Sequence, residues 1–220
     1  MYLKHLTKEK FKKAFPLIAL AGIAQAFCYY LPAFLPSGRE ICLALPIDDA
    51  IPFVNWFIFF YVLAFGQWAL QWLFLAAEGE PLLTRYIRAE IMGKVIGLLF
   101  FVIMPVTMTR PTDTGTGLCG WLTGFIYSID IPTRLFPSMH CFLAWIWFRA
   151  VLESRNMSRG VKWFTGVLTV LICASTLFVK QHLFVDVPAG IAMCELCLHF
   201  SRLWEKRKNK APVRAEAQGE

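Results

Sequence analysis

The sequence predicts an all-α integral membrane protein, six transmembrane helices in one bundle, and three observations carry that prediction. Hydrophobic residues make up 57% of the 220, and mean hydropathy is +0.54, far above what a soluble domain of this length needs for its core. Two runs, residues 14–37 and 50–77, contain no charged side chain, and each exceeds the ~20 apolar residues that cross a bilayer. Lys and Arg alternate between rich and poor connections, the pattern that selection for basic residues on one side of a membrane leaves.

Four further apolar stretches, at about residues 91–109, 137–152, 163–179 and 182–200, complete the six. Each is short or carries an ionisable group, such as Lys94, Arg149 or Glu195, which near a helix end reaches the interface by extending its side chain. Glu195 lies deep in its predicted span, with His199 or Lys94 as the expected partner. Assigning both termini to the cytoplasm places 18 of the 22 Lys and Arg on that side and leaves Arg39, Arg110, Arg134 and Lys180 outside. The chain then divides into a cationic cytoplasmic segment, residues 1–13, a six-helix membrane domain, 14–204, and a polar cytoplasmic tail, 205–220. A basic start followed by Ala24-Gln25-Ala26 imitates a signal peptide, but the apolar run continues to Pro36, which favours an uncleaved anchor. Residues 78–90 read as a cytoplasmic turn, and residues 110–136 as an outside loop rich in turn formers at its start.

The net charge of +7 does not argue for nucleic acid, because the basic residues cluster beside spans, where anionic headgroups explain them. Of the seven cysteines, five fall in or beside apolar runs, where Cys serves as a small hydrophobe, and none shows metal-ligand spacing. Cys42 and Cys119 lie in outside loops and are the pair a disulfide could join. No metal, cofactor or obligate protein partner is implied.

Two of the four histidines, His140 and His182, fall at outer helix ends on the same side as Arg110. His182 and Asp186 are spaced i, i+4, so a helix beginning near Gln181 would set imidazole and carboxylate on one face. A carboxylate on one ring nitrogen fixes the tautomer and leaves the other as base or nucleophile. Ser138 reads as an N-cap, and a helix start there offers the Met139 amide and a positive dipole to an anion. Arg110 adds a planar guanidinium suited to phosphate oxygens. Singly these signals have plain structural readings: an interfacial histidine, a local ion pair, an Arg-Pro turn. Their joint order is what points to chemistry.

Arg110-Pro111, Pro137-Ser138-Met139-His140 and Ser175-Thr176-x5-His182-x3-Asp186 together resemble the three motifs of the phosphatidic acid phosphatase type 2 superfamily of lipid phosphatases and phosphotransferases. The resemblance covers residues 103–190, and the six-helix layout extends it over most of the chain. It implies that His182 is the nucleophile that takes the phosphoryl group, that Asp186 orients it, and that His140 protonates the leaving oxygen and then activates the acceptor. It further implies that Arg110, Ser138 and the Met139 amide hold the phosphate.

Three positions depart from that family's pattern: Ile103 stands for Lys, Met139 for Gly and Thr176 for Arg. Phosphoryl transfer needs its charge spread over fixed donors, so Arg134 and Lys180, the unassigned outside cations near the motifs, are the expected substitutes. The superfamily's transferase branch, with the inositol phosphorylceramide synthases, relaxes the same cations. The expected activity is a membrane phosphatase acting on a lipid phosphate; the alternatives are a lipid phosphotransferase and a degenerate, lipid-binding member.

Overall fold

The computed structural model describes residues 6–35 and 39–216, the side chains of Ala33 and of residues 209–216 excepted. The segments 1–5, 36–38 and 217–220 of the sequence reading lie outside the described residues. Among those described, all regular structure is helical, with two isolated bridges, Ile41 to Val106 and Thr107 to Thr133, tying the loops at one end.

The first helix, α1 (Lys8–Tyr30), starts where the Thr7 hydroxyl accepts the Lys10 amide at 3.2 Å. From Lys8 onward the helix runs unbroken from the cationic segment into the apolar run. A short α2 (Pro46–Ala50) precedes α3 (Ile58–Glu78), which stops at Gly79, whose φ of 77° suits a residue without Cβ. Then α4 (Leu82–Ile103) follows, beginning within the expected cytoplasmic turn and ending before Pro105. The loop expected over 110–136 contains α5 (Gly117–Ile129), a 13-residue apolar helix about 20 Å long, too short to cross a bilayer. The bundle closes with α6 (Met139–Glu153), α7 (Arg159–Phe178) and α8 (Asp186–Glu216), the last running through the boundary expected at 204/205.

Among the described residues, three helical segments are long and apolar enough to span a membrane: Lys8–Tyr30, Asn55–Glu78 and Arg159–Phe178. The others differ for physical reasons. Arg85, Arg88, Glu90 and Lys94 dilute α4, α6 has 15 residues, and α8 turns polar in its second half. Large apolar side chains nonetheless face outward on all of these, as with Leu99 and Ile103 on α4 or Leu196 and Phe200 on α8. A surface so apolar suits lipid and would be a liability in water.

At the centre stands α6, against α3, α4, α7 and α8, burying Phe142, Leu143, Ile146, Ala150 and Val151. At its far end, Arg85 pairs with Glu153 at 2.6 Å and Glu205 at 2.8 Å, and Arg202 also pairs with Glu153. Glu195 pairs with Arg149 and accepts from the Trp145 indole at 2.7 Å, not with His199 or Lys94 as expected. Lys94 is instead satisfied one turn away on its own helix, by Glu90 at 2.5 Å.

At the near end, Gly190 of α8 packs against the Ser138 carbonyl and the Phe142 amide at the start of α6. A Cβ at Gly190 would collide with that backbone. Gly190→Ala is therefore expected to push α8 off α6, costing roughly 1–3 kcal/mol of stability as overpacking typically does and lowering activity by separating the groups described next. Thermal unfolding in detergent beside a turnover assay checks it; wild-type values in both would show that the helices yield freely here.

Candidate active site

One carbonyl gathers two amides at the start of the turn between α7 and α8. Thr176 O accepts the amides of Gln181 at 2.9 Å and His182 at 3.0 Å, while Lys180 adopts φ 50°. Helix α8 starts only at Asp186, later than expected, because Pro188 is tolerated in a first turn and not in a helix interior. His182 and Asp186 therefore meet across a turn rather than along a helix face. Asp186, fully buried, accepts through Oδ2 both His182 Nδ1 at 3.1 Å and the Leu183 amide at 2.9 Å. Its own carbonyl accepts the Ser138 amide at 3.1 Å, which ties this turn to the start of α6.

That connection sets His140 beside His182, with ring centroids 6.2 Å apart, although 41 positions separate them in the chain. Tyr61 stacks on the His140 ring at 4.1 Å, and Trp68 meets it edge-on at 4.8 Å. His140 Nε2 is buried without a hydrogen-bond partner. Both histidines line one cavity of ≈ 570 Å³ among α1, α3, α5 and the start of α6. Burial opposes charge on the His182 ring, but the hydrogen bond and attraction of Asp186 outweigh it and raise its pKa above the ordinary 6.5.

Arg110 is placed differently from expectation. Its guanidinium donates to the Asp130 carbonyl and Gln181 Oε1 and lies 4.8 Å over the Tyr127 ring. It lines a second cavity, ≈ 630 Å³, which meets the first at His182; it does not line the cavity the histidines share. Burial pulls its pKa down, and attraction from Asp130 counters that pull.

Ser138 is the N-cap, its Oγ accepting the Cys141 amide at 3.3 Å, but the side chain is fully buried, which turns it toward the helix rather than a ligand. Met139 lines the shared cavity, and its first-turn amide has no acceptor within α6. Ile103 points outward, 72% exposed, and Thr176 turns its hydroxyl to the Cys173 carbonyl at 2.8 Å; neither position brings a polar group to the cavity.

The two substitute cations part company. Arg134 lines the shared cavity, donating to Tyr29 O at 3.3 Å from its edge. Lys180 does not line it: its ammonium donates to the carbonyls of Asp48 at 2.8 Å and Ile51 at 2.6 Å, holding α2 against the turn. Lys180 lies instead in the second cavity with Arg110 and His182, two of its three donors engaged by α2. Arg134→Gln is expected to lower turnover by about 2–4 kcal/mol in barrier, whereas Lys180→Gln should mainly destabilise the α2 strap. Equal, near-wild-type turnover in both would remove Arg134 from the site.

Cys42 and Cys119 are free thiols, as are the other cysteines. Cys42 borders the second cavity, while Cys119 packs on α5 against Ile58 and Tyr61, so no disulfide joins them. Sequence reasoning missed Asp130, Gln181, Tyr61 and Trp68 because none is a fixed position of a motif. Asp130 alone carried a signal, as the acid that stops an apolar run just before Pro132. No protein-family model matches the chain, and no curated protein matches it.

Proposed function

We propose that this protein is a membrane phosphatase that cleaves a lipid phosphate ester through a phosphohistidine at His182. The observation that carries the reading is the pairing of two imidazoles in one cavity, one with Nδ1 engaged by a buried carboxylate and Nε2 left free. Nε2 of His182 attacks phosphorus, the bond from phosphorus to the lipid oxygen breaks, and His140 supplies the proton that oxygen takes up. Water then gives its proton to His140 and attacks phosphorus, the P–N bond breaks, and inorganic phosphate leaves. Six spans, cytoplasmic termini and a site on the outer or luminal face fit this reading, supported by the apolar outer faces of α4 and α8 and by the basic residues at the end opposite the histidines.

An alcohol in place of water would make the enzyme a phosphotransferase with the same first step. Purified protein in lipid vesicles, given labelled phosphatidic acid, a polyprenyl diphosphate and a phosphosphingolipid with and without alcohol acceptors, separates the two. Free phosphate is the expected product, and a new phosphodiester would replace phosphatase with transferase. No product with any of the three, or turnover that survives His182→Ala, would overturn the phosphohistidine reading.

A further inference from the structure

The two histidines of the shared cavity are held by different means. His182 has the Asp186 carboxylate on Nδ1, whereas His140 Nε2 is buried without a hydrogen-bond partner. A general acid must nonetheless keep one orientation, because proton transfer requires hydrogen-bond reach of the atom that receives the proton. For His140 the restraint comes from rings. Tyr61 stacks on the imidazole at 4.1 Å with 20° between the planes, while Phe65 meets it edge-on at 5.4 Å and Trp68 at 4.8 Å. All three stand on α3 at spacings of four and three, hence on one face of that helix. Rotating the imidazole about its bond to Cβ would drive its edge into the Tyr61 ring.

Tyr61 is itself fixed at its far end. It is 1% exposed, and its hydroxyl donates to Oδ2 of Asp130, the residue that ends α5, at 3.3 Å. Asp130 Oδ1 accepts from the Tyr29 hydroxyl of α1 at 3.4 Å. One carboxylate therefore joins α1, α3 and α5 behind the ring that covers His140. The stack also bears on charge. An imidazolium only 8% exposed has lost most of its water, and the face of Tyr61 offers it the negative side of a ring quadrupole.

We infer that Tyr61, anchored by Asp130, is the positioning residue of the general acid: its ring sets the plane of His140 and steadies the proton that the leaving lipid oxygen takes up. The inference rests on the phosphatase reading and adds how the acid is held. It places the restraint on His140 in a stacked ring, where His182 has a carboxylate.

Leaving-group dependence separates a positioned acid from a merely structural ring. The alkoxide of phosphatidic acid needs a proton to leave, whereas a nitrophenyl phosphate bearing a dodecyl chain releases a phenolate that does not. In vesicles, Tyr61→Leu is expected to lower kcat for phosphatidic acid by about 10–100-fold, a part of what acid–base catalysis supplies. It should slow single-turnover release of the nitrophenol much less, so that the ratio of the two rates falls by at least about tenfold. Tyr61→Phe, which keeps the stacked ring and loses only the tie to Asp130, should move the ratio in the same direction by less, and nitrophenol release shows that each variant folds. His140→Ala should shift the ratio at least as far as Tyr61→Leu. Tyr61 variants that slow both esters alike, or neither, would overturn the positioning role while leaving the phosphatase standing. Equal slowing of both esters by His140→Ala would show that His140 is not the acid and remove the inference, with the His182 nucleophile untouched. Turnover of either ester that survives His182→Ala would instead overturn the phosphatase reading and this inference with it, as would turnover of neither by the wild type.

Discussion

His182→Ala is expected to abolish phosphate release, by about 10⁴-fold or more, since loss of a covalent nucleophile leaves only binding and electrostatics. Asp186→Asn should retain a residual rate, about 10²–10⁴-fold below wild type, because Nε2 survives while its tautomer and orientation are degraded. The two also separate by pH. Attack requires neutral His182, and Asp186 raises its pKa above 6.5, so kcat/KM of the wild type should climb with pH above that value. Without the carboxylate, burial is left to act on the ring and favours the neutral form, so the acid limb of Asp186→Asn should move to lower pH as the plateau falls. The stabilising charge on His182 follows the opposite course: it contributes fully below the unfolded-state pKa and is lost as pH rises through the folded one. A pH–rate profile of the two proteins checks this, and an unmoved limb would mean that Asp186 does not act on His182. Full activity in His182→Ala would reduce the histidine to an interfacial residue.

What was legible in the sequence was the part that local chemistry decides. Charge-free runs announced α1 and α3, Ser138 announced the start of α6, and the spacing of His182 and Asp186 announced a contact, though Pro188 delayed the helix and changed how the contact forms. The rest depended on packing between elements distant in the chain. Helix α5 was hidden because the turn formers at the start of the segment, Gly115 and Gly117 among them, made it read as a loop. Gly117 does take φ 69° there, but Gly120 is used for close approach to the Gly115 carbonyl. Arg110 reads as a phosphate clamp from its motif, yet the Asp130 carbonyl and Gln181 hold it in the second cavity, a placement no spacing announces. Lys180 followed the same pattern. An outside cation looked free for a ligand, and the left-handed turn at its own backbone aims it at α2 instead.

The second large effect is expected at Lys94, a residue outside the chemistry. Lys94 and Glu90 are each 1% exposed and pair at 2.5 Å along α4, with Lys94 also donating to Ala21 O of α1 at 3.0 Å. Glu90 in turn accepts from Gln71 at 3.0 Å and Trp72 at 3.2 Å on α3. One ion pair therefore joins the three helices one turn away from Gln25 and Trp68 in the cavity wall. Removing one partner strands a buried charge, which costs roughly 3–5 kcal/mol, whereas replacing both by apolar groups of similar size is often neutral or better. Lys94→Met alone is accordingly expected to destabilise by about that amount and to weaken activity by loosening α1 from α3. Lys94→Met combined with Glu90→Leu should recover only part of the loss, because Gln71 and Trp72 then lose their acceptor at about 1–3 kcal/mol for each donor left buried. Unfolding of the two variants in detergent, with wild type alongside, measures the difference. If the double variant is the less stable of the two, the pair contributes through its hydrogen bonds to α1 and α3 more than through its charge, and the wall of the cavity is held by the Ala21 carbonyl, Gln71 and Trp72 rather than by the ion pair itself.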